Sequence, residues 1–226
     1  MQIENGLVTS IDGIKIIQDL IPVTNTNARP GIKMTSEYIT IHNTSNSGAS
    51  AAANSNYVDN QNEYVSWHFT VGANEVYQEM PITEHAWHAG DGSTGDGNMK
   101  SIGVEIAEVD GAEETAINFI AQLLISLNMD IDKVVPHQHW SGKYCPRLIL
   151  PHWDTFIKNV ENEMELIVVA EVKRYKNISE MPEWMQSYVK KWVTEGYIKG
   201  NTNGELNFSD DMVRVLIIAE RMIGQA

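Results

Sequence analysis

One cysteine, Cys145, stands in 226 residues. No disulfide can form within such a chain, so its fold must be held by a buried core or by a bound ion. Length and composition permit a core: 226 residues, 42% of them apolar, suffice for one medium domain and a smaller one. The thiol lies in Pro136-His137-Gln138-His139-Trp140-Ser141-Gly142-Lys143-Tyr144-Cys145-Pro146, eight residues after His137 and two after Lys143. Zinc is held tetrahedrally by thiolate sulfur and imidazole nitrogen, and a catalytic zinc keeps three protein ligands. His137 and Cys145 supply two, and a third must come from elsewhere. His42 is the best placed, because it ends the apolar, β-branched run Tyr38-Ile39-Thr40-Ile41, which reads as a buried strand able to aim a side chain. The alternative is an inert buried cysteine, with histidines merely packed against aromatic rings.

Periodicity supplies the frame around these residues. Residues 38–42, 66–71, 75–80 and 102–108 read as strands, with Gly72-Ala73-Asn74 turning between the middle two. Residues 49–59, 112–128 and 152–163 read as helices, the second repeating Ile117, Ile120, Leu123, Leu124 and Leu127 at helical spacing. Gly90 to Gly97 holds four glycines and two aspartates; no glutamate stands where a calcium loop needs one, so it reads as a flexible substrate loop. The fold class is α/β, a central mixed β-sheet flanked by helices, occupying residues 1–164.

Composition changes beyond residue 165. Leu166-Ile167-Val168-Val169-Ala170 reads as a strand, Pro182-Glu183-Trp184 opens a helix that ends near Gly196 and Gly200, and Ser209-Asp210-Asp211 caps another carrying Val213, Leu216 and Ile217. Residues 165–226 are therefore expected to form a small, mainly helical C-terminal domain.

Charge is uneven. Residues 1–169 hold 8 Lys and Arg against 22 Asp and Glu, whereas residues 170–226 hold 8 of each, so the first part carries the whole net charge of −14. Nucleic acid is not expected as a partner, since phosphate contacts need clustered cations. A membrane is not expected either: there is no run of 18 apolar residues, and Met1 to Gly6 lacks the basic and apolar segments of a signal peptide. Synthesis in the cytoplasm is the expectation.

Ile41-His42-Asn43-Thr44, Ser66-Trp67-His68-Phe69, Ala86-Trp87-His88-Ala89-Gly90, Ser101-Ile102-Gly103-Val104-Glu105-Ile106 and His137 to Pro146, in that order, resemble the successive motifs of the zinc-dependent type 2 N-acetylmuramoyl-L-alanine amidases, whose fold the peptidoglycan-recognition proteins share. The resemblance covers about residues 20–160. It implies one Zn²⁺ per chain on His42, His137 and Cys145, with water in the fourth position, and hydrolysis of the amide joining N-acetylmuramic acid to L-alanine in bacterial peptidoglycan. Glu105 matches the family's catalytic glutamate and Lys143 its assisting lysine. Trp67 departs from the pattern, because some relatives carry a catalytic tyrosine there, which puts more weight on Glu105.

Glu105 sits in an apolar strand pattern, where an unpartnered acid is costly to bury. Its alternative is the solvent face of an edge strand, continued by Glu108 and Asp110. Lys143 is placed to stabilise an oxyanion, although most lysines are solvated surface groups. Trp67, His68 and His88 are candidate substrate-binding residues, His68 also being a candidate to support the site from behind. His85 and His152 read as packing or surface residues. On an extended segment His139 would face the same way as His137; the family spacing to Cys145 selects His137.

Without a signal peptide, such an enzyme fits a phage or prophage lysin that reaches the wall once the membrane is permeabilised. Residues 175–223 resemble one S-layer homology repeat, through Pro182-Glu183-Trp184-Met185, Glu195 to Gly200, Gly204 to Phe208 and Val213-Arg214, with Val213 where threonine is common. That implies binding of a secondary cell-wall polysaccharide. Such repeats act in threes, so a homo-oligomer would supply the missing copies. The rival readings are a non-catalytic peptidoglycan-recognition module, against which intact Cys145 and Glu105 argue, and a thiol hydrolase with Cys145 as nucleophile.

Overall fold

The computed structural model describes residues 1–171 and 173–223. The chain divides into two compact units, Met1–Glu165 and Leu166–Ala226.

The first unit is built on a mixed sheet of six strands: β3 (Lys15–Gln18), β4 (Tyr38–Asn43), β5 (Phe69–Val71), β6 (Glu75–Gln78), β7 (Ser101–Ile106) and β8 (Val134–Pro136), preceded by the hairpin of β1 (Gln2–Glu4) and β2 (Leu7–Ser10). Their spatial order is β3-β6-β5-β7-β4-β8, and only the β5–β6 pair is antiparallel. Parallel strands inside a sheet are covered on both faces and read as continuous apolar runs. β4 and β7 obey this, with Ile39, Ile41, Ile102 and Val104 fully buried. Helix α1 (Ala51–Asn60) is capped by Ser50, whose hydroxyl accepts from Ala53 N–H.

A short α2 (Asp96–Lys100) leads into β7, and α3 (Ala112–Leu127) buries Phe119, Ile120, Leu123 and Leu124. Phe119 meets Phe69 of β5 edge-on, with 4.9 Å between ring centroids. After β8 come α4 (Gln138–Ser141) and α5 (Trp153–Glu171).

Several expectations are corrected. Residues 66–68 precede β5 instead of belonging to it. Residues 166–170 are helical, the last turns of α5, because the run continues the apolar spacing of a helix already propagating from Trp153. The strands within residues 2–18 and 134–136 are too short to stand out as periodic segments.

The second unit contains β9 (Arg174–Tyr175), α6 (Glu183–Thr194), β10 (Phe208–Ser209) and α7 (Asp210–Ile223), with β9 and β10 antiparallel. Its core gathers Tyr175, Met181, Met185, Val189, Trp192, Phe208, Val213 and Ile217. Arg214 lies over the Trp184 ring, 4.6 Å from its centroid. Among the described residues no helix is long and apolar enough to cross a membrane.

Candidate active site

Register aims the first two groups. β4 and β7 run parallel with His42 opposite Glu105, so both side chains leave the same face of the sheet. The closest approach is 3.8 Å, from His42 Nδ1 to Glu105 Oε1. β8 pairs with the other side of β4, Pro136 opposite Ile41, which delivers His137 at the strand end beside His42. From there the chain turns into α4 and stops at Gly142, whose positive φ of 75° lets its N–H return to Gln138 O. Gln138 N–H then donates to Cys145 O at 3.0 Å, closing a loop that points the thiol back at the sheet. Asn43 Oδ1 accepts from Leu148 N–H at 2.9 Å and ties that loop to the end of β4.

Three donor atoms converge as a result. One from each of His42, His137 and Cys145 lies within 4.8 Å of the others, and all three residues are buried. The Nδ1 atoms of His137 and His42 are 3.0 Å apart, and Cys145 Sγ is 3.8 Å from His42 Nδ1. Burial, first of all, holds both imidazoles below their ordinary range, with Lys143 adding to the effect on each; neutral rings are what a cation requires. His137 Nε2 is buried without a hydrogen-bond partner. Two imidazoles and a thiol at this spacing form a donor set suited to zinc, so the residues present fit the group.

Glu105 lies beside them on an interior strand, which sets aside the edge-strand alternative. Its Oε2 is buried without a partner. Burial pushes its carboxyl up to about 8, Lys143 draws it back, and Glu108 raises it further. Burial likewise pushes the Cys145 thiol up to about 11. Such a thiol is a poor nucleophile unless a cation takes its proton's place.

These residues line one cavity of about 550 Å³ together with Lys143, Trp67 and His88. Trp67 is almost wholly buried and spends its Nε1–H on Thr70 Oγ1 at 2.7 Å, leaving only its ring toward the cavity. His88 stands behind His42, with His88 Nδ1 3.1 Å from His42 Nε2. His68 does not line the cavity. It is fully buried, its Nδ1 accepting from Gly103 N–H at 2.9 Å and its Nε2 donating to Glu84 O at 2.8 Å, so neither nitrogen is left for a substrate.

His139 is exposed, because the segment coils into α4 instead of staying extended and turns it away from His137. His85 is buried against Trp87, and His152 is exposed, its Nε2 2.8 Å from Glu113. The Gly90–Gly97 loop is tied down, contrary to the flexible loop expected. Asp91 accepts from Gly97 and Asn98 N–H, and Asn98 Oδ1 accepts from His88 and Ala89 N–H.

Sequence reasoning missed Tyr64, Trp87, Asn98 and Ser141 as cavity-lining residues. Trp87, Asn98 and Ser141 lie in or beside the quoted motifs, and adjacency was the one available signal. Nothing in the sequence around Tyr64 marks it.

Comparisons with known proteins bear on the family and the fold. The profile of Amidase_2, N-acetylmuramoyl-L-alanine amidase, matches residues 32–148. N-acetylmuramoyl-L-alanine amidase CwlH of Bacillus subtilis (strain 168) is 47% identical over 156 residues, 66% of this chain and 62% of that protein. N-acetylmuramoyl-L-alanine amidase XlyA of the same organism is 50% identical over 150 residues, 63% of this chain and 50% of that protein. The chain thus matches about half to three fifths of the length of these relatives. The solved catalytic domain of XlyA superposes with a TM-score of 0.61 at 48% identity, covering 65% of this chain and 99% of that domain. With its fold and more than half of its length matched, this chain belongs to the N-acetylmuramoyl-L-alanine amidase family.

Proposed function

We propose that the chain is a zinc-dependent peptidoglycan hydrolase that cleaves the amide between N-acetylmuramic acid and L-alanine. The observation that carries this is the convergence of His42, His137 and Cys145 beside the half-buried carboxylate of Glu105 in an open cavity. His42 and His137 would hold the ion through ring nitrogens and Cys145 through its thiolate. Bound there, zinc supplies Lewis-acid polarisation of a carbonyl and makes water acidic enough to attack near neutral pH.

The chain's own residues do the rest. Glu105 takes a proton from the attacking water and returns it to the departing L-alanine nitrogen as the C–N bond breaks. Its raised affinity for a proton suits a group that must accept one and then release it, and Lys143 keeps the ionised form accessible. Lys143 also faces the cavity, where its cation offsets the charge developing on the carbonyl oxygen. Trp67 and His88 both line the cavity wall; with both His88 ring nitrogens engaged inside the protein, Trp67 is the remaining candidate for substrate contact.

The thiol-hydrolase reading loses support from the same geometry, because a buried thiol held near 11 has little thiolate to offer. The second unit is proposed to bind a secondary cell-wall polysaccharide, with a homo-oligomer adding avidity. The lysin route, from synthesis in the cytoplasm to the wall through a permeabilised membrane, belongs to the same proposal; export of the protein from intact cells would overturn it.

The test is digestion of Gram-positive peptidoglycan with and without a chelator, followed by identification of new amino termini. Release of N-terminal L-alanine that stops with chelation and returns with zinc is expected. Binding without new termini would point to a recognition module, and chelator-resistant cleavage to a thiol enzyme.

A further inference from the structure

The ring nitrogens of His88 face inward. Nε2 lies 3.1 Å from the carbonyl oxygen of Ser101, and Nδ1 lies 3.1 Å from His42 Nε2. A carbonyl can only accept, so the nitrogen facing it carries the hydrogen. A neutral imidazole has one such hydrogen, which leaves His88 Nδ1 as a lone pair. His42 Nε2 must then be the donor in the His42–His88 pair. The hydrogen of His42 is thereby committed to the side away from the cavity, and its Nδ1 presents a lone pair toward His137 Nδ1 and Cys145 Sγ.

We propose that His88 is a positioning residue: by accepting the Nε2 hydrogen of His42 and anchoring its own on Ser101, it fixes the tautomer and the ring plane that make His42 Nδ1 a metal ligand. Without such an acceptor, His42 is free to carry its hydrogen on Nδ1, where a ligand needs a lone pair. Partners of this kind on the far nitrogen of a ligating histidine orient the ring and raise its basicity.

Independent features hold His88 in that place. A Cβ at Gly103 would come within 2.8 Å of His88 Cγ, so the neighbouring strand keeps a glycine where the ring packs. The His88 backbone is held by Asn98 Oδ1, which accepts its N–H at 2.9 Å. Ser101 is braced in turn: its hydroxyl pairs with Thr40 Oγ1, which accepts from Trp140 Nε1 at 2.8 Å. Trp140 lies in α4, between ligands 137 and 145, so the relay joins β4, β7 and the ligand loop. Only 8% of His88 is exposed, and both of its nitrogens are spent within the protein, which favours this role over the substrate contact expected from the sequence.

The inference rests on the proposed ligand set, and the test separates the two. In the full-length protein labelled with ¹⁵N-histidine, long-range ¹H–¹⁵N correlations of the zinc-free form report which nitrogen of His42 carries hydrogen. Competition with a chromophoric chelator gives zinc affinity for the wild type, His88→Ala and His88→Asn. We expect the wild-type hydrogen on Nε2 alone. His88→Ala should bind zinc about 10- to 100-fold more weakly, with His42 a mixture of tautomers. His88→Asn should recover most of the loss, because its Oδ1 stands on Cγ as Nδ1 does and can accept the same hydrogen.

A wild-type hydrogen on His42 Nδ1 overturns the proposal, as does a folded His88→Ala protein whose zinc affinity stays within about twofold of wild type. If His88→Ala does not fold, the wild-type tautomer and His88→Asn decide. A wild type that binds no zinc overturns the ligand assignment itself, while the tautomer measurement still decides the relay.

Discussion

Glu105 and Cys145 separate chemistry from binding. Glu105→Gln removes the proposed base while leaving the three proposed donors in place, so zinc content should be unchanged and turnover should fall by about 10²- to 10⁴-fold; near wild-type turnover would leave the general-base role without support. Cys145→Ser should lose zinc and activity together, as measured by metal analysis and release of L-alanine termini. Retained zinc with full activity would remove Cys145 from the site. His68 has a different consequence. Burial, opposed by its bond to Glu84 O, holds its imidazole down to about 4, whereas in the unfolded chain it titrates near its ordinary 6.5. Between those values the unfolded chain binds a proton that the folded chain refuses, so stability rises with pH across the window. Its contribution is fully present above about pH 6.5 and is lost as pH falls toward 4, a change of about 3 kcal/mol. His68→Gln should flatten the difference in stability between pH 7 and pH 4.5, measured by urea unfolding; an unchanged slope would show that His68 is not buried as a neutral ring.

At the scale of elements, two parallel pairings build the site. β4 against β7 sets Glu105 beside His42, and β8 against β4 adds His137. A slip of one residue would send those side chains to the opposite face. Among the residues by which α3 supports the sheet, Phe119 is fully buried against Phe69. Phe119→Ala should cost about 3–5 kcal/mol in urea unfolding; a loss below about 1 kcal/mol would mean that the helix repacks over the cavity. The longer helices α1, α3 and α5 of the first unit were legible, α3 because its apolar residues repeat at helical spacing, whereas the short α2 and α4 were not. The run Leu166 to Ala170 was not, because β-branched residues favour strands locally, yet here they extend a helix nucleated upstream.

For the whole molecule, the uneven charge suggests a division of labour. The first 169 residues carry the entire net charge of −14, so an anionic wall repels this part at long range, and a separate module would be needed to hold it there. Removing residues 170–226 should therefore weaken sedimentation with whole walls more than hydrolysis of soluble muropeptide; unchanged sedimentation would refute the anchoring role. By itself, the sequence determined the fold class and the central strands, because each lies in a short contiguous pattern that is local, while the family resemblance singled out His42, His137, Cys145 and Glu105 as candidates. Only the tertiary structure decided which histidines share a space. His42 and His137 are 95 residues apart and meet because β8 pairs with β4. His68 and His88 occupy similar aromatic motifs, yet one ring is bonded to the backbone between strands and the other stands behind His42. Such differences depend on long-range pairing and on where each ring finds its hydrogen-bond partners, and no local pattern of residues encodes either.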